Sequence, residues 1–422
     1  MYPTRLACAL ALALTTASPA FASAQSEAKG FVEDSSLGLF LRNAYISRDY
    51  KQGAQDKAEW GQAGTLNFRS GFTQGTVGVG VDAHAMYAVR LDSGRGRSGA
   101  GGIDFFRRDN DGKPRHDLGK GGAALKVRIS DTVLAYGDLR PTLPVLNHDA
   151  SRLLAETFTG TMLTSNELRG LTLHAGRFHA ESRKSDVGRD SARLKAINVL
   201  GGNYQFNEQI GVAVYGSGID DVMKQQYVGL NYSLPLQADD ALNFDFNAYN
   251  TRMDKRFDAD KSKNRIWSLA ATYSTGAHAV TVAHQRSSGD IGYPYGFYQD
   301  EGWIGNGGST IFLANSFWSD FNGKDERSWQ LSYAIDFASY GVPGLSYVIA
   351  YVRGNNIDAG SSSRGNEREW FNQLSYTVQN GAAKDLSIRL RGSALRVSEH
   401  ARGYNSEGNE VRIFVDYPLD LF

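Results

Sequence analysis

The sequence GNEVRIFVDYPLDLF at residues 408–422 alternates almost without error. Val411, Ile413, Val415, Tyr417, Leu419 and Leu421 share one face. Arg412, Phe414, Asp416, Pro418 and Asp420 share the other, with Asn409 at the edge. Alternation with period two marks a β-strand with one apolar and one wet face. The stretch closes on an aromatic residue, Phe422, which is out of step with Tyr417, Leu419 and Leu421. A bulge near Pro418 is expected on that account.

The same pattern recurs from Leu37 onward. Leu66 and Phe68 alternate with Asn67 and Arg69, and Val77, Val79 and Val81 are separated by glycines. In LSIRLR (residues 386–391) one face is wholly apolar and the other carries Arg389 and Arg391. Tight-turn residues fall at Gly170, Asn207, Gly276, Gly341 and Gly381, whereas the connections near 93–118, 141–156, 184–193, 288–325 and 356–367 are long. Segments of about ten residues, short turns alternating with long loops and an aromatic terminus describe a transmembrane β-barrel. Counting segments gives about eighteen strands in one antiparallel, all-β domain, residues 23–422, wide enough for an aqueous channel. A soluble β-sandwich is the competing fold. It does not account for apolar faces opposite arginines in so many hairpins.

The first 22 residues read as a secretory signal: Arg5, an apolar run over residues 6–14, and A-x-A patterns that place cleavage after Ala22 or Ala24. The single cysteine, Cys8, precedes most of that apolar run, which excludes a lipoprotein anchor and leaves the mature chain without thiol, disulfide or cysteine metal ligand. Beyond it no run of ~18 apolar residues could form a membrane helix. The mean hydropathy of −0.39 is uninformative for a barrel, whose lumen is polar. Charges balance, 45 basic against 45 acidic, which argues against a nucleic-acid partner. The eight histidines show no paired ligand spacing, so no metal or other cofactor is expected. The expected surroundings are outer-membrane lipid and lipopolysaccharide, around a monomer or loose homotrimer.

If the apolar faces meet lipid, the opposite faces meet the lumen. Arg389 and Arg391 are then neighbours on one strand, about 7 Å apart. Arg412 stands on the next, and closure brings the first strand, with Arg42, beside the last. Arg69 follows on the second strand, and Lys126 and Arg128 on the fourth. Together they form a basic wall able to offer carboxylates successive charge-assisted contacts. The bland alternative is that they pair with Asp82, Asp245, Asp336 and Asp416 to stiffen the barrel. Two loops are candidates to narrow the channel. Loop 141–156 is proline-anchored and carries Asp149, Ser151 and Arg152 among apolar residues. Loop 288–325 exceeds the ~15 residues beyond which loops are usually functional or disordered, and is rich in aromatics around Asp300, Glu301 and Asp320.

Several stretches resemble the OprD family of substrate-specific porins: VEDSSL (32–37), TVLAYGDLRPT (132–142), SRLL (151–154), SDFNG (319–323), ERSW (326–329), GVPGL (341–345), DLSIRLR (385–391) and DYPL (416–419). The resemblance spans essentially the mature chain. It implies an eighteen-stranded barrel in the bacterial outer membrane, with the third and seventh loops folded inward. It also implies a lumenal basic ladder facing acids, and uptake of small carboxylates such as amino acids or aromatic acids. The ladder carries over onto Arg389, Arg391, Arg412 and Arg42. Ala350 and Ala135 stand where some relatives would carry a base, which leaves the ladder's length and the substrate open. A general, weakly selective porin is the first rival. The second is a barrel hydrolase using His148, Asp149 and Ser151, but no G-x-S-x-G surrounds Ser151 and the chain is read as a non-enzyme.

Overall fold

The computed structural model describes residues 23–92, 103, 105–107, 114–189, 194–237, 240–295 and 311–422. Its strands are β1 Ser36–Tyr50, β2 Lys57–Arg69, β3 Val77–Arg90, β4 Asp117–Ile129, β5 Thr132–Leu139, β6 Thr142–Leu143 and β7 Leu146–Asn147. They continue as β8 Thr157–Leu168, β9 Leu171–Ser182, β10 Ile197–Gln205, β11 Ile210–Ile219, β12 Met223–Pro235, β13 Ala241–Met253 and β14 Lys263–Thr275. The last six are β15 His278–Gly289, β16 Arg327–Asp336, β17 Leu345–Ile357, β18 Gly365–Thr377, β19 Ser387–Val397 and β20 Gly408–Asp420. The tiny β6–β7 hairpin stands apart, inside a loop; the other strands make one 18-stranded antiparallel sheet. β20 pairs with β1 from Gly38–Asp420 to Tyr50–Gly408, so the sheet closes and has no free edge.

The pleat sets the two faces. Leu66, Val79, Leu125, Val228, Leu331, Leu374, Ile388, Leu390, Val411 and Ile413 are exposed on the outside. The intervening residues, among them Arg42, Arg69, Lys126, Arg128, Arg389, Arg391 and Arg412, face inward. The β1–β20 register runs unbroken past Phe40–Pro418, so no bulge is present near Pro418. β19 pairs with β20 only as far as Ser387–Asp416. Pro418 therefore has one hydrogen-bonded neighbour, a position its missing N–H tolerates. Pairing simply continues beyond it, with Leu421 N donating to Leu37 O.

Short turns lie at one end of the barrel. Gly170 and Gly276 hold the left-handed φ of two-residue turns, 77° and 52°. Long loops lie at the other end. The third (140–156) and the described parts of the seventh (290–295 and 311–326) enter the barrel. Leu143, Val145 and Leu146 of the third loop pack with Tyr293, Ile311 and Leu313 of the seventh in one buried cluster. That cluster covers the inner faces of β8 to β14, including Phe158, Phe178, Tyr215, Tyr227, Tyr249 and Ile266. That side of the lumen is thus a dry core, while smaller buried clusters line the inner faces of β1 to β4 and of β17 to β19, between the charged side chains of those strands.

Candidate functional site

The third loop crosses the barrel and is fastened on both sides. At one side Tyr249 of β13 donates its hydroxyl to the Pro144 carbonyl (3.1 Å), and the same hydroxyl accepts from Phe312 N of the seventh loop (3.1 Å). On nearly the opposite side of the ring, Arg42 of β1 donates through Nη1 to the carbonyls of Ala150 and Arg152, both at 2.8 Å. Nε and Nη2 of Arg42 grip Asp416 at 2.7 and 3.0 Å. Leu153 and Leu154 then pack against Ala44, Ile46 and Phe414. Gly61 admits this contact: a Cβ there would lie 2.4 Å from Leu153 Cδ1.

The basic side chains share the inward parity of β19, β20, β1, β2 and β4, but differ in what surrounds them. Arg412 donates to both carboxylate oxygens of Glu410, at 2.5 and 3.0 Å, and Arg48 donates to the same carboxylate. Lys126 is held by Asp82 (2.6 Å) and the Ser70 carbonyl (2.9 Å). Arg128 lies over the Phe72 ring and donates to Gln25 of the N-terminal segment, which itself bonds Thr73 and Gly75 at the short-turn mouth. Arg69 faces Asp82 across the β2–β3 register. Arg389 is different: its side chain stays 42% exposed, Asp416 is 3.8 Å away, and its guanidinium lies over Phe414. Arg391 stands opposite Arg412 in the β19–β20 register, over Phe371. Ala350 is buried with Phe371 against Phe317 of the seventh loop. Arg69 is exposed and Arg389 half-exposed, whereas Arg391 is half-buried and donates to Gln373 at 3.4 Å.

Of the loop residues, Asp149 is buried and ion-paired with the equally buried Lys184. Burial alone would raise its carboxyl, but the Lys184 ammonium and the Arg152 guanidinium outweigh it and hold the group below the usual carboxylate range. Arg152 is buried, bonded to the Ile103 carbonyl and to Ser151 Oγ, and Ser151 itself is exposed. His148 Nδ1 lies 2.9 Å from the Pro141 carbonyl. The His148–Asp149–Ser151 trio therefore spends its polar atoms on loop structure. Asp320 is half-buried and accepts from the Ser316 and Tyr295 hydroxyls. Burial raises its carboxyl, while those hydroxyls and the Arg412 guanidinium pull the other way. Asp300 and Glu301 lie outside the described residues.

Sequence reasoning missed the acids that seat the seventh loop. Glu369 accepts from Trp318 N and Ser319 N, at 3.1 and 2.9 Å. Glu367 accepts from Ser319 Oγ (2.6 Å) and Asn405 (2.9 Å), and Glu326 from Gly323 N (2.9 Å). Gln285 donates to the Asp320 and Phe321 carbonyls. Glu367 and Glu369 share the inward parity of β18, as Glu410 shares that of Arg412. An inward acid two residues from another charge was the available signal.

A sequence profile described as "outer membrane porin, OprD family" matches residues 29–421. The chain is a member of the OprD family. Its similarity to Porin D of Pseudomonas aeruginosa is 41% identity over 98% of both chains. The Acinetobacter baumannii OccAB1 structure superposes with a TM-score of 0.88, at 35% identity, covering 95% of this chain and 100% of that one. Pseudomonas aeruginosa OpdK, solved with vanillate, gives a TM-score of 0.81 at 32% identity, over 93% of this chain and all of that one. This OprD-family porin therefore belongs in the bacterial outer membrane, with the long loops outside and the short turns in the periplasm.

Proposed function

We propose that the barrel is a channel for facilitated diffusion of small carboxylate-containing solutes, amino acids or aromatic and other organic acids among them. The observation that carries the reading is the half-exposed, inward-facing Arg389 guanidinium, two residues from Arg391 on the same face of β19. A guanidinium at a wet surface can bind a carboxylate in two parallel hydrogen bonds. Among the described residues its acid partner is Asp416, which is already engaged by Arg42. Arg412 and Arg42 extend the path, and Asp320 is the described loop acid that senses Arg412. Arg69, Lys126 and Arg128 continue the basic surface toward the periplasm. Vanillate, bound in the OpdK structure, is itself a carboxylate.

A general, weakly selective porin is the second reading. It is favoured by the internal partners of Arg42, Arg412 and Lys126, which stiffen the wall as much as they line it. Among the described residues Ser151 Oγ meets Arg152 and His148 Nδ1 meets the Pro141 carbonyl, which gives the hydrolase reading no nucleophile–base contact. Residues 1–22 are taken as the signal, and the working unit as a monomer or loose homotrimer. Uptake into proteoliposomes decides between channel types. Saturable uptake of one carboxylate, competed by another, is expected of a ladder; linear, uncompeted flux would establish the general pore.

A further inference from the structure

The outer surface carries a second basic array, on the opposite face from the lumenal one. Lys224 (β12), Arg252 (β13), Lys263 and Arg265 (β14), Arg286 (β15), Arg327 (β16), Arg353 (β17), Arg368 (β18) and Arg396 (β19) all have outward parity. Each lies near the extracellular end of its strand, and all but Arg396 are exposed. The register sets like charges directly opposite one another: Lys224 and Arg252, Arg252 and Lys263, Arg286 and Arg327, Arg353 and Arg368, Arg368 and Arg396. Like charges facing across a ladder destabilise a sheet. No carboxylate shares the outward face of these strands, and among the described residues no acid pairs with any member of the row.

Just below the row, toward the membrane centre, lie Trp267, Trp329 and Trp370, an aromatic level of the kind found at membrane interfaces. There too a groove of about 450 Å³ opens on the lipid face of β12 to β14. The small Ala248 stands directly between Val228 and Trp267 in the register, with Phe246 one step below and Arg265 one step above.

We infer that this face binds a phosphorylated, acylated glycolipid of the outer leaflet, the lipid A part of lipopolysaccharide. The phosphates sit along the arginine row and one acyl chain lies in the Ala248 groove. Charge complementarity sets the occupant: a second copy docked face to face would place the row against itself, whereas a polyanionic headgroup relieves the repulsion. The inference rests on the membrane placement of the barrel and is independent of what passes through its lumen.

The test uses the full-length protein in detergent, washed free of lipid, with lipid A, phosphatidylglycerol and inorganic phosphate as probes. Binding is read by native mass spectrometry and by the shift in melting temperature. Each basic residue near an anionic lipid surface contributes about fivefold. The variant Arg286→Gln/Arg327→Gln/Arg353→Gln/Arg368→Gln should therefore lose on the order of several hundredfold in lipid A affinity. It should keep its single-channel conductance and carboxylate flux. Ala248→Leu, which fills the groove, should weaken lipid A several-fold and leave inorganic phosphate unaffected. The inference is overturned if the quadruple variant binds lipid A like the wild type, or if inorganic phosphate at equal concentration matches lipid A. It is also overturned if the wild type is an oligomer that the variant dissolves without any lipid bound.

Discussion

Arg42 is the clasp on which the third loop's crossing of the lumen depends. Arg42→Met keeps most of the side-chain stem and removes four hydrogen bonds, two to the Ala150 and Arg152 carbonyls and two to Asp416. A hydrogen bond from a charged donor is worth ~1.5–3 kcal/mol. At the lower figure the two loop contacts hold that end of the loop by about 3 kcal/mol. Losing them shifts the ratio of anchored to released loop by roughly two orders of magnitude. Leu153 and Leu154 still pack against the wall, so release is local rather than a collapse of the barrel. Single-channel recording in planar bilayers should show a larger mean conductance with frequent excursions between levels. Asp416→Asn is the control: it weakens the ion pair but leaves both loop carbonyls bonded to Arg42, so its conductance should stay close to wild type. An Arg42→Met channel with wild-type conductance and noise would refute the clasp.

Three further outcomes are expected. Ile388→Arg places a charge on the lipid face and should cost ~2–4 kcal/mol if that depth is the bilayer midplane; denaturant titration of the barrel in liposomes measures it, and an unshifted midpoint would reverse the assignment of faces. Lys184→Met takes the paired ammonium from the buried Asp149 and leaves Arg152 as a cationic neighbour, so it should cost about 3 kcal/mol, the lower end for breaking a buried pair, read the same way. Because the Asp149 carboxyl is held below its ordinary value of ~3.9, the stability that pair contributes is fully present above about pH 4. It is lost as pH falls through the lowered value, and an acid titration of Asp149→Asn should lack that component of the wild-type curve.

Parity was legible because the lipid face is uniform in character. The apolar residues at 388, 390, 411 and 413 place Arg389, Arg391 and Arg412 inward with no structural knowledge, and the long connections mark the two loops that enter. Periodicity says which face a residue is on, not what stands opposite it. Tyr227, Tyr249 and Ile266 face inward but are dry, because two loops distant in sequence cover them; on β12 to β14 both faces are partly apolar and the pattern weakens there. The same blindness hid Glu410 between Arg48 and Arg412, and the burial of Asp149 against Lys184. Phe422 misled in a different way. Its change of parity falls at the end of the chain, where Leu421 N donates to Leu37 O and Leu37 N donates to Phe422 O so that two residues face one, and not at Pro418. The outward row from Lys224 to Arg396 was visible residue by residue, yet only the register shows that its charges oppose one another.

The central claim, that guanidinium groups on β19 conduct carboxylates, is tested most directly by Arg389→Ala/Arg391→Ala. The measurement is radiolabelled carboxylate uptake and ion conductance on the same proteoliposome preparation. The double variant leaves the Arg42 clasp on the third loop intact, so the pore should remain open to small ions at near wild-type conductance. Carboxylate uptake should fall and lose its saturation, and the wild-type advantage should shrink as salt rises, since exposed charges are screened within about 8 Å at physiological ionic strength. Wild-type carboxylate uptake by the double variant would contradict the account and leave the arginines as structure.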